Sequence, residues 1–468
     1  MPNTSSDEMN EIKMRQPSLA QGEGDLNLSS ERARWNAEEL DEETRALIEE
    51  DARYFLHQSL STPCLNVLSR AEGSFFVDRQ GRRYYDFHGN NVHQVGFAHP
   101  KVLAAITRTL GELSFCTRRY TNPWAISLAK KLVDLAPGDL KRVLFAPGGA
   151  EAISMALQLA RVATGRFKTI SLWDSFHGAT LDAISVGGES FFRSGIGPLL
   201  PGTEHVPPPD PVGCPFRCGE QCNLACADYV EYVLTKEGDV AAVVGESMRS
   251  TGIVPPPLYW QRIRAACDRH GALLILDEIP NGLGRSGTMF TCQQYGVVPD
   301  ILVIGKGLGG SIFPLAAILT RERLNVAGER AIGHFTHEKN PVACAASLAA
   351  IEVIEKEHLA ERAVRLGAQA RTYLLSLQQR YPIIREVRGL GLLLALVLTQ
   401  PGTHTPASAE AERIMYAALR RGLNFKVSMG NILTLTPPLT IHEDELREAF
   451  EILASAFEAV LGSGQVST

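Results

Sequence analysis

Several short runs in this chain carry almost no polar residue. They include "VAAVVGE" (240–246), "ALLILDE" (272–278), "DILVIG" (300–305) and "LAAILT" (315–320). A strand with one wet face alternates apolar and polar residues, whereas a continuous apolar run needs cover on both faces. Helical spacing in "AEAISMALQLARVATG" and "YWQRIRAACDRHG" supplies such cover between the runs. Strands alternating with helices predict an α/β fold around a mostly parallel sheet. Sheets of this kind collect ligands outside the carboxyl ends of their strands. Three polar features fall at such ends: Gly148–Glu151, Asp277 and Lys306.

The pattern changes after about residue 346. Long helical stretches, "AASLAAIEVIEKEHLAERAVRLG" and "EDELREAFEILASAFEAVL", bracket "GLGLLLALVL" and "NILTLTPPL". That reads as a smaller α+β unit. Residues 1–30 lack any aromatic side chain and read as a flexible arm. A helix is expected from Asp41, which would cap it, with Leu47, Ile48, Ala52, Phe55 and Leu56 on its apolar side. "GSFFVDRQGRRYYDFHG" reads as a hairpin turning at Asp78–Gly81. The expected division is an arm (1–30), a segment joining the small domain (31–90), a large domain (91–345) and a C-terminal small domain (346–468). An exposed excursion is expected at 207–227, opened by "PPPDP".

A length of 468 residues suits this two-domain reading. The formal net charge of −6, with no long basic run, argues against nucleic acid or an anionic membrane as partner. No apolar stretch is long enough to span a bilayer, and the first residues lack a signal-peptide core, so the expected location is cytoplasmic with reduced thiols.

A lysine between glycines at the mouth of a buried strand, as in "LVIGKGLGG", is either an exposed end or a reagent. A carboxylate ending "ALLILDE" needs a cationic or hydrogen-bonding partner. Together they match the needs of pyridoxal phosphate: a lysine to hold it as a Schiff base and a carboxylate for the pyridinium nitrogen. "FAPGGAEAISMALQLA" sets two glycines before a helix, either a plain turn or an anion site. In "SFHG", Phe176 is either a core residue or a stacking ring, and His177 a loop residue or its neighbour.

In that order, these motifs resemble the class III aminotransferases, which are fold-type-I pyridoxal phosphate enzymes with a large domain and a smaller α+β domain. "LDEIPNGLGRSG", "GKGLGGSIFPLAA", "PGGAEAISMALQLAR" and "HFTHEKNPVACAASLA" carry the resemblance, which covers roughly residues 40–460. It implies that Lys306 binds the cofactor covalently and shuttles protons, and that Asp277 pairs with the pyridine nitrogen. Ile279 would pack beneath the ring and Phe176 above it, with His177 alongside. Gly149 and Ala150 would offer N–H groups to the phosphate, and Glu246 would line the pocket. Thr336 would reach the phosphate of a neighbouring subunit, making the protein a homodimer with shared active sites.

Four departures matter. Pro280 stands where the family usually has glutamine, Ala150 replaces a hydroxyl residue, and "GES", with Ser247, replaces Glu-Pro. Thr434, in "GNILTLTPPLTI", stands where many members have an arginine that grips a keto acid's carboxylate, a role threonine cannot fill. The "GES" variant and the threonine at 434, together with "DFHGNNVHQVGFAHP", are similar to the phospho-lyase and ammonia-lyase branch of the family. The resemblance implies a lyase that takes a small amine bearing a phosphonate or phosphate. It would eliminate the neighbouring hydroxyl and release an aldehyde and ammonia. An ω-aminotransferase or a non-catalytic relative are the rival readings. Arg118, Arg119, Arg249 and Lys426 are candidates to meet the anion.

Cys214, Cys218, Cys222 and Cys226 recur every four residues in "CPFRCGEQCNLAC". Pro215 and Gly219 favour a loop there. Such a loop fits either a structural zinc site or reduced thiols, and no catalytic metal is expected.

Overall fold

In the computed structural model, residues 28–210, 213–218 and 222–462 are described. Most of the expected arm at 1–30 therefore lies outside the described residues, and its last residue, Ser30, already opens the helix Ser30–Glu39.

Seven strands form the largest sheet. In spatial order they are Leu140–Ala146, Ala316–Arg321, Ile301–Ile304, Leu273–Asp277, Val240–Glu246, Lys168–Leu172 and Thr203–Val206. Ala316–Arg321 runs antiparallel to both neighbours, and every other pairing is parallel. The strands Leu273–Asp277 and Ile301–Ile304 are buried along their whole length, as their unbroken apolar sequence requires. Helices such as Gly149–Thr164 and Tyr259–His270 cover the sheet. This is the expected α/β arrangement, with a parallel-rich sheet.

A second, antiparallel sheet has the order Ile384–Leu390, Leu393–Leu398, Ile432–Leu435, Lys426–Ser428. A third joins the two ends of the chain. The hairpin strands Phe75–Asp78 and Arg83–Asp86 turn where expected, and Leu423–Asn424 pairs in parallel with Tyr85–Asp86. Asn424 Nδ2 also donates to Asp86 Oδ1 at 2.8 Å, across 338 residues of sequence.

Local chemistry sets the helix starts. Asp41 Oδ1 accepts the Thr44 N–H at 2.7 Å, and Asn122 and Asn340 cap helices whose first residue is proline. Three expectations are corrected. The helix Glu42–Tyr54 stops before Phe55, which is extended, so Phe55 and Leu56 leave the helical face and are exposed, while Ile48 is buried. The stretch 345–367 is broken by His358, whose φ of 50° turns the chain between the helices Pro341–Lys356 and Leu359–Arg380. The start of the excursion is not exposed: Pro209 is buried, and Asp210 lies 3.5 Å from Arg388.

Cys226 is buried in the helix Ala225–Glu237, while Cys214 and Cys218 sit in the preceding loop with their sulfurs 3.8 Å apart. Among the described residues, no group of three or more ligating side chains is arranged to hold a metal ion. No helix among them is long and apolar enough to cross a membrane.

Candidate active site

The strand Leu273–Asp277 ends on Asp277, whose side chain is buried. Its Oδ1 accepts the Ile279 N–H at 3.0 Å, and its Oδ2 accepts from His177 Nδ1 at 2.8 Å. Burial of the ring opposes charge on His177, but the hydrogen bond and charge of Asp277 outweigh it and raise the pKa.

One strand over, Ile301–Ile304 leads through Gly305 into the turn Lys306–Gly309. Lys306 has a φ of 48°, a left-handed conformation that costs a non-glycine residue about 1 kcal/mol. Neighbouring groups hold it there. A Cβ on Gly307 would fall 1.9 Å from Gln94 Oε1, and Ser311 Oγ contacts the carbonyls of Val92 and Gly96 at 3.0 and 3.1 Å. Burial lowers the Lys306 pKa, and the carboxylates of Asp277 and Glu246 restore part of it. That direction favours the neutral amine, the form that takes up a proton.

The helix Gly149–Thr164 begins beside these groups. Its N-cap, Gly148, offers no side-chain cap, so the first-turn N–H groups of Gly149 and Ala150 and the positive end of the helix are available to an anion. A Cβ on Gly149 would lie 2.8 Å from Ile279 Cδ1, so glycine lets Ile279 sit against the helix start. A Cβ on Gly178 would lie 2.6 Å from that of Ala150, so the loop bearing Phe176 and His177 lies directly on the first helical turn.

Glu246 closes the strand Val240–Glu246 and is buried, with Arg249 Nε 3.3 Å from its Oε2. Burial raises its pKa, and Arg249 and His177 act in the opposite sense. Arg249 also donates to the Asp174 carbonyl and approaches Met429 Sδ at 3.8 Å.

Lys306 and Phe176 face a cavity of about 480 Å³, together with Arg249, Lys426 and Thr434. Burial drops the Lys426 pKa to about 8. Thr434 is buried, with its hydroxyl 3.2 Å from that of Ser428. Of the four candidates for the anion, Arg249 and Lys426 line this cavity. Arg118 instead pairs with Glu338 at 3.4 Å, and Arg119 is exposed away from it. Thr336 is exposed in the turn at 336–339 and does not line the cavity of its own chain. Three further lining residues, Arg32, His88 and Glu189, were not singled out from the sequence. His88 falls within "DFHGNNVHQVGFAHP", Arg32 on the helix Ser30–Glu39 and Glu189 in the loop before the short helix Ser190–Arg193, and only the tertiary fold brings the three together.

Ser247 has a structural task. Its hydroxyl donates to Glu278 Oε1 at 2.7 Å, and Glu278 also accepts the N–H groups of Thr291 and Cys292 at 2.6 Å each. Proline at 247 would lack that hydroxyl and leave Glu278 one donor short.

The arrangement suits pyridoxal phosphate. It offers a buried carboxylate at the end of one strand and an amine of lowered pKa in the turn after its neighbour, an uncapped helix start for the phosphate and a partly exposed aromatic face in Phe176. The basic cavity beyond suits an anionic amine.

A family model for class-III aminotransferases matches residues 57–457. Over 455 residues the chain is 47% identical to the (R)-1-hydroxy-2-aminoethylphosphonate ammonia-lyase of Vibrio splendidus strain 12B01, covering 94% of this chain and 95% of that one. It is 34% identical to a 5-aminovalerate aminotransferase of Pseudomonas aeruginosa, covering 84% and 93%. Among solved structures, the pyridoxal-phosphate-bound amine transaminase of an uncultivated Pseudomonas species aligns with a TM-score of 0.81 at 33% identity, covering 87% of this chain and 99% of that one.

Proposed function

The chain belongs to the class-III aminotransferase family, and on that premise we propose that it is an ammonia-lyase converting (R)-1-hydroxy-2-aminoethylphosphonate to phosphonoacetaldehyde and ammonia. It is an enzyme of the pyridoxal phosphate class. When bound, that cofactor supplies an electron sink for the charge left on the amine-bearing carbon after proton loss.

The chain's own residues divide the remaining work. Lys306 Nζ anchors the cofactor and, once released, takes the proton from the amine-bearing carbon. Its lowered pKa and its place beside Asp277 and Glu246 suit that exchange. Asp277, oriented by His177, would set its carboxylate against the ring nitrogen. The N–H groups of Gly149 and Ala150 receive the phosphate. Ile279 and Phe176 hold the ring between them, and Glu246 fixes Arg249 at the cavity wall. Arg249 and Lys426 receive the substrate's phosphonate.

The observation that carries this reading is the cation-lined cavity with threonine, not arginine, at position 434. It welcomes an anionic group without the carboxylate grip that a keto acid needs. The strong likeness to a named ammonia-lyase supports the same choice. Thr336, exposed on its own chain, suits a homodimer in which it serves the neighbouring subunit's phosphate site. The division into a large domain at 91–345 and a small domain at 346–468, and a cytoplasmic location, belong to the same proposal.

The test supplies the (R)-aminophosphonate with and without pyruvate and measures ammonia and aldehyde. Ammonia without a keto acid supports the lyase. Alanine accumulating in its place supports an ω-aminotransferase. Inorganic phosphate released from phosphoethanolamine, with no turnover of the phosphonate, supports a phospho-lyase.

A further inference from the structure

Elimination needs two proton movements. A base removes the proton from the amine-bearing carbon, and an acid must protonate the departing hydroxyl, because hydroxide leaves poorly. Lys306 provides the base and leaves the acid unassigned. The cavity wall narrows the choice. Arg32 and Arg249 carry guanidinium groups that do not release protons at neutral pH. Burial lowers the pKa of His88, which keeps it neutral. Glu189 is the one carboxyl group among the described residues that line this cavity.

Its backbone is fixed. The Glu189 N–H donates to the Ser175 carbonyl at 3.1 Å, and the Gly188 N–H to the same oxygen at 2.9 Å. A Cβ on Gly188 would lie 2.2 Å from the Leu172 carbonyl oxygen, so the chain reaches Glu189 by a path open only to glycine. Glu189 is thereby tied to the loop that presents Phe176 and His177.

We propose that Glu189 is the catalytic acid that donates its carboxyl proton to the leaving hydroxyl, an assignment that rests on the lyase reading above. The C–O bond breaks and the oxygen keeps its electron pair. It takes the Glu189 proton and departs as water, while Lys306 Nζ holds the proton from the neighbouring carbon. The resulting enamine tautomerises, and water hydrolyses it to aldehyde and ammonia. Glu189 regains a proton from solvent.

The surroundings raise the pKa of Glu189, so that a large share of its carboxyl is protonated at neutral pH. Burial is the largest influence, Arg249 opposes it, and Glu246 and Asp174 reinforce it, bringing the pKa to about 7. Lys306 and Lys426 share the cavity.

The experiment compares wild type and Glu189→Gln on the hydroxy substrate and on its 1-fluoro analogue, whose fluoride leaves without a proton. The expected result is a loss of about 100-fold in kcat for the hydroxy substrate, with the fluoro substrate within about 3-fold of wild type. Glu189→Asp restores part of the hydroxy activity. Independently of turnover, the wild-type minus Glu189→Gln infrared difference spectrum contains a protonated carboxyl band that titrates away near pH 7. Equal losses on both substrates, no loss on either, or no such band would overturn the assignment while leaving the lyase reading intact. A wild-type enzyme that releases ammonia from neither substrate would overturn both.

Discussion

His177 Nδ1 lies 2.8 Å from Asp277 Oδ2, with both side chains out of water at the end of the central sheet. Removing one member of such a buried pair strands the other. Asp277→Ala is expected to lose about 3–5 kcal/mol of stability, read as a fall in urea midpoint. Asp277→Asn keeps an acceptor for His177 and most of that stability, yet loses kcat by about 100-fold or more because the negative charge is gone.

The same pair has a pH signature. The folded-state pKa of His177 is raised above its unfolded value. Its contribution to stability is therefore complete below about 6.5, the unfolded value, and is lost as pH rises through the folded pKa. The stability gap between wild type and His177→Gln should narrow as pH increases, measured by urea unfolding across a pH series. A gap that widens with pH contradicts the pairing.

Lys306→Ala removes both the anchoring amine and the base. Ammonia release should fall by at least about 1,000-fold. Borohydride treatment followed by mass spectrometry should find the cofactor joined to the wild-type chain at residue 306 and absent from the variant chain.

Lys426 faces the cavity with a pKa of about 8. As a cationic grip it is present below that pH and lost above it. The affinity of ethylphosphonate, a non-reacting anion, should decline as pH rises through about 8, and Lys426→Arg should keep its affinity there. Lys426→Met should weaken binding by about 10- to 100-fold at pH 7, the worth of one hydrogen bond to a charged group. Calorimetric titration reads all three.

Thr434→Arg adds the carboxylate fork that this cavity lacks. Keto-acid-dependent amine transfer should rise relative to ammonia release by about 10-fold or more, assayed as alanine formed per ammonia released. An unchanged ratio would mean that residue 434 does not set the reaction outcome.

The central strands were legible because burial on both faces leaves an unbroken apolar run, and Leu273–Asp277 and Ile301–Ile304 have that character throughout. The polar residues closing such runs were legible with them, which is how Asp277 and Lys306 stood out, while Glu246 was implied by the family resemblance. Phe55 and Leu56 misled because a helical wheel carries no information on where the helix stops. The turn at His358 was hidden because a left-handed histidine leaves no trace in periodicity. Arg32, on the helix Ser30–Glu39, and Glu189, in a loop, belong to the cavity only through tertiary packing. Glu189 reaches it through two hydrogen bonds to Ser175 that no local pattern announces. The two glycines before it were the sole hint of a tight path.

The short parallel ladder between Tyr85–Asp86 and Leu423–Asn424 has a temporal consequence. His88 and Asn90 follow the first of these strands, and Asn424 and Lys426 lie on or beside the second, and all four border the cavity. A nascent polypeptide therefore carries this wall of its reaction chamber unfinished from the synthesis of Asp86 until Asn424, 338 residues later, has been added.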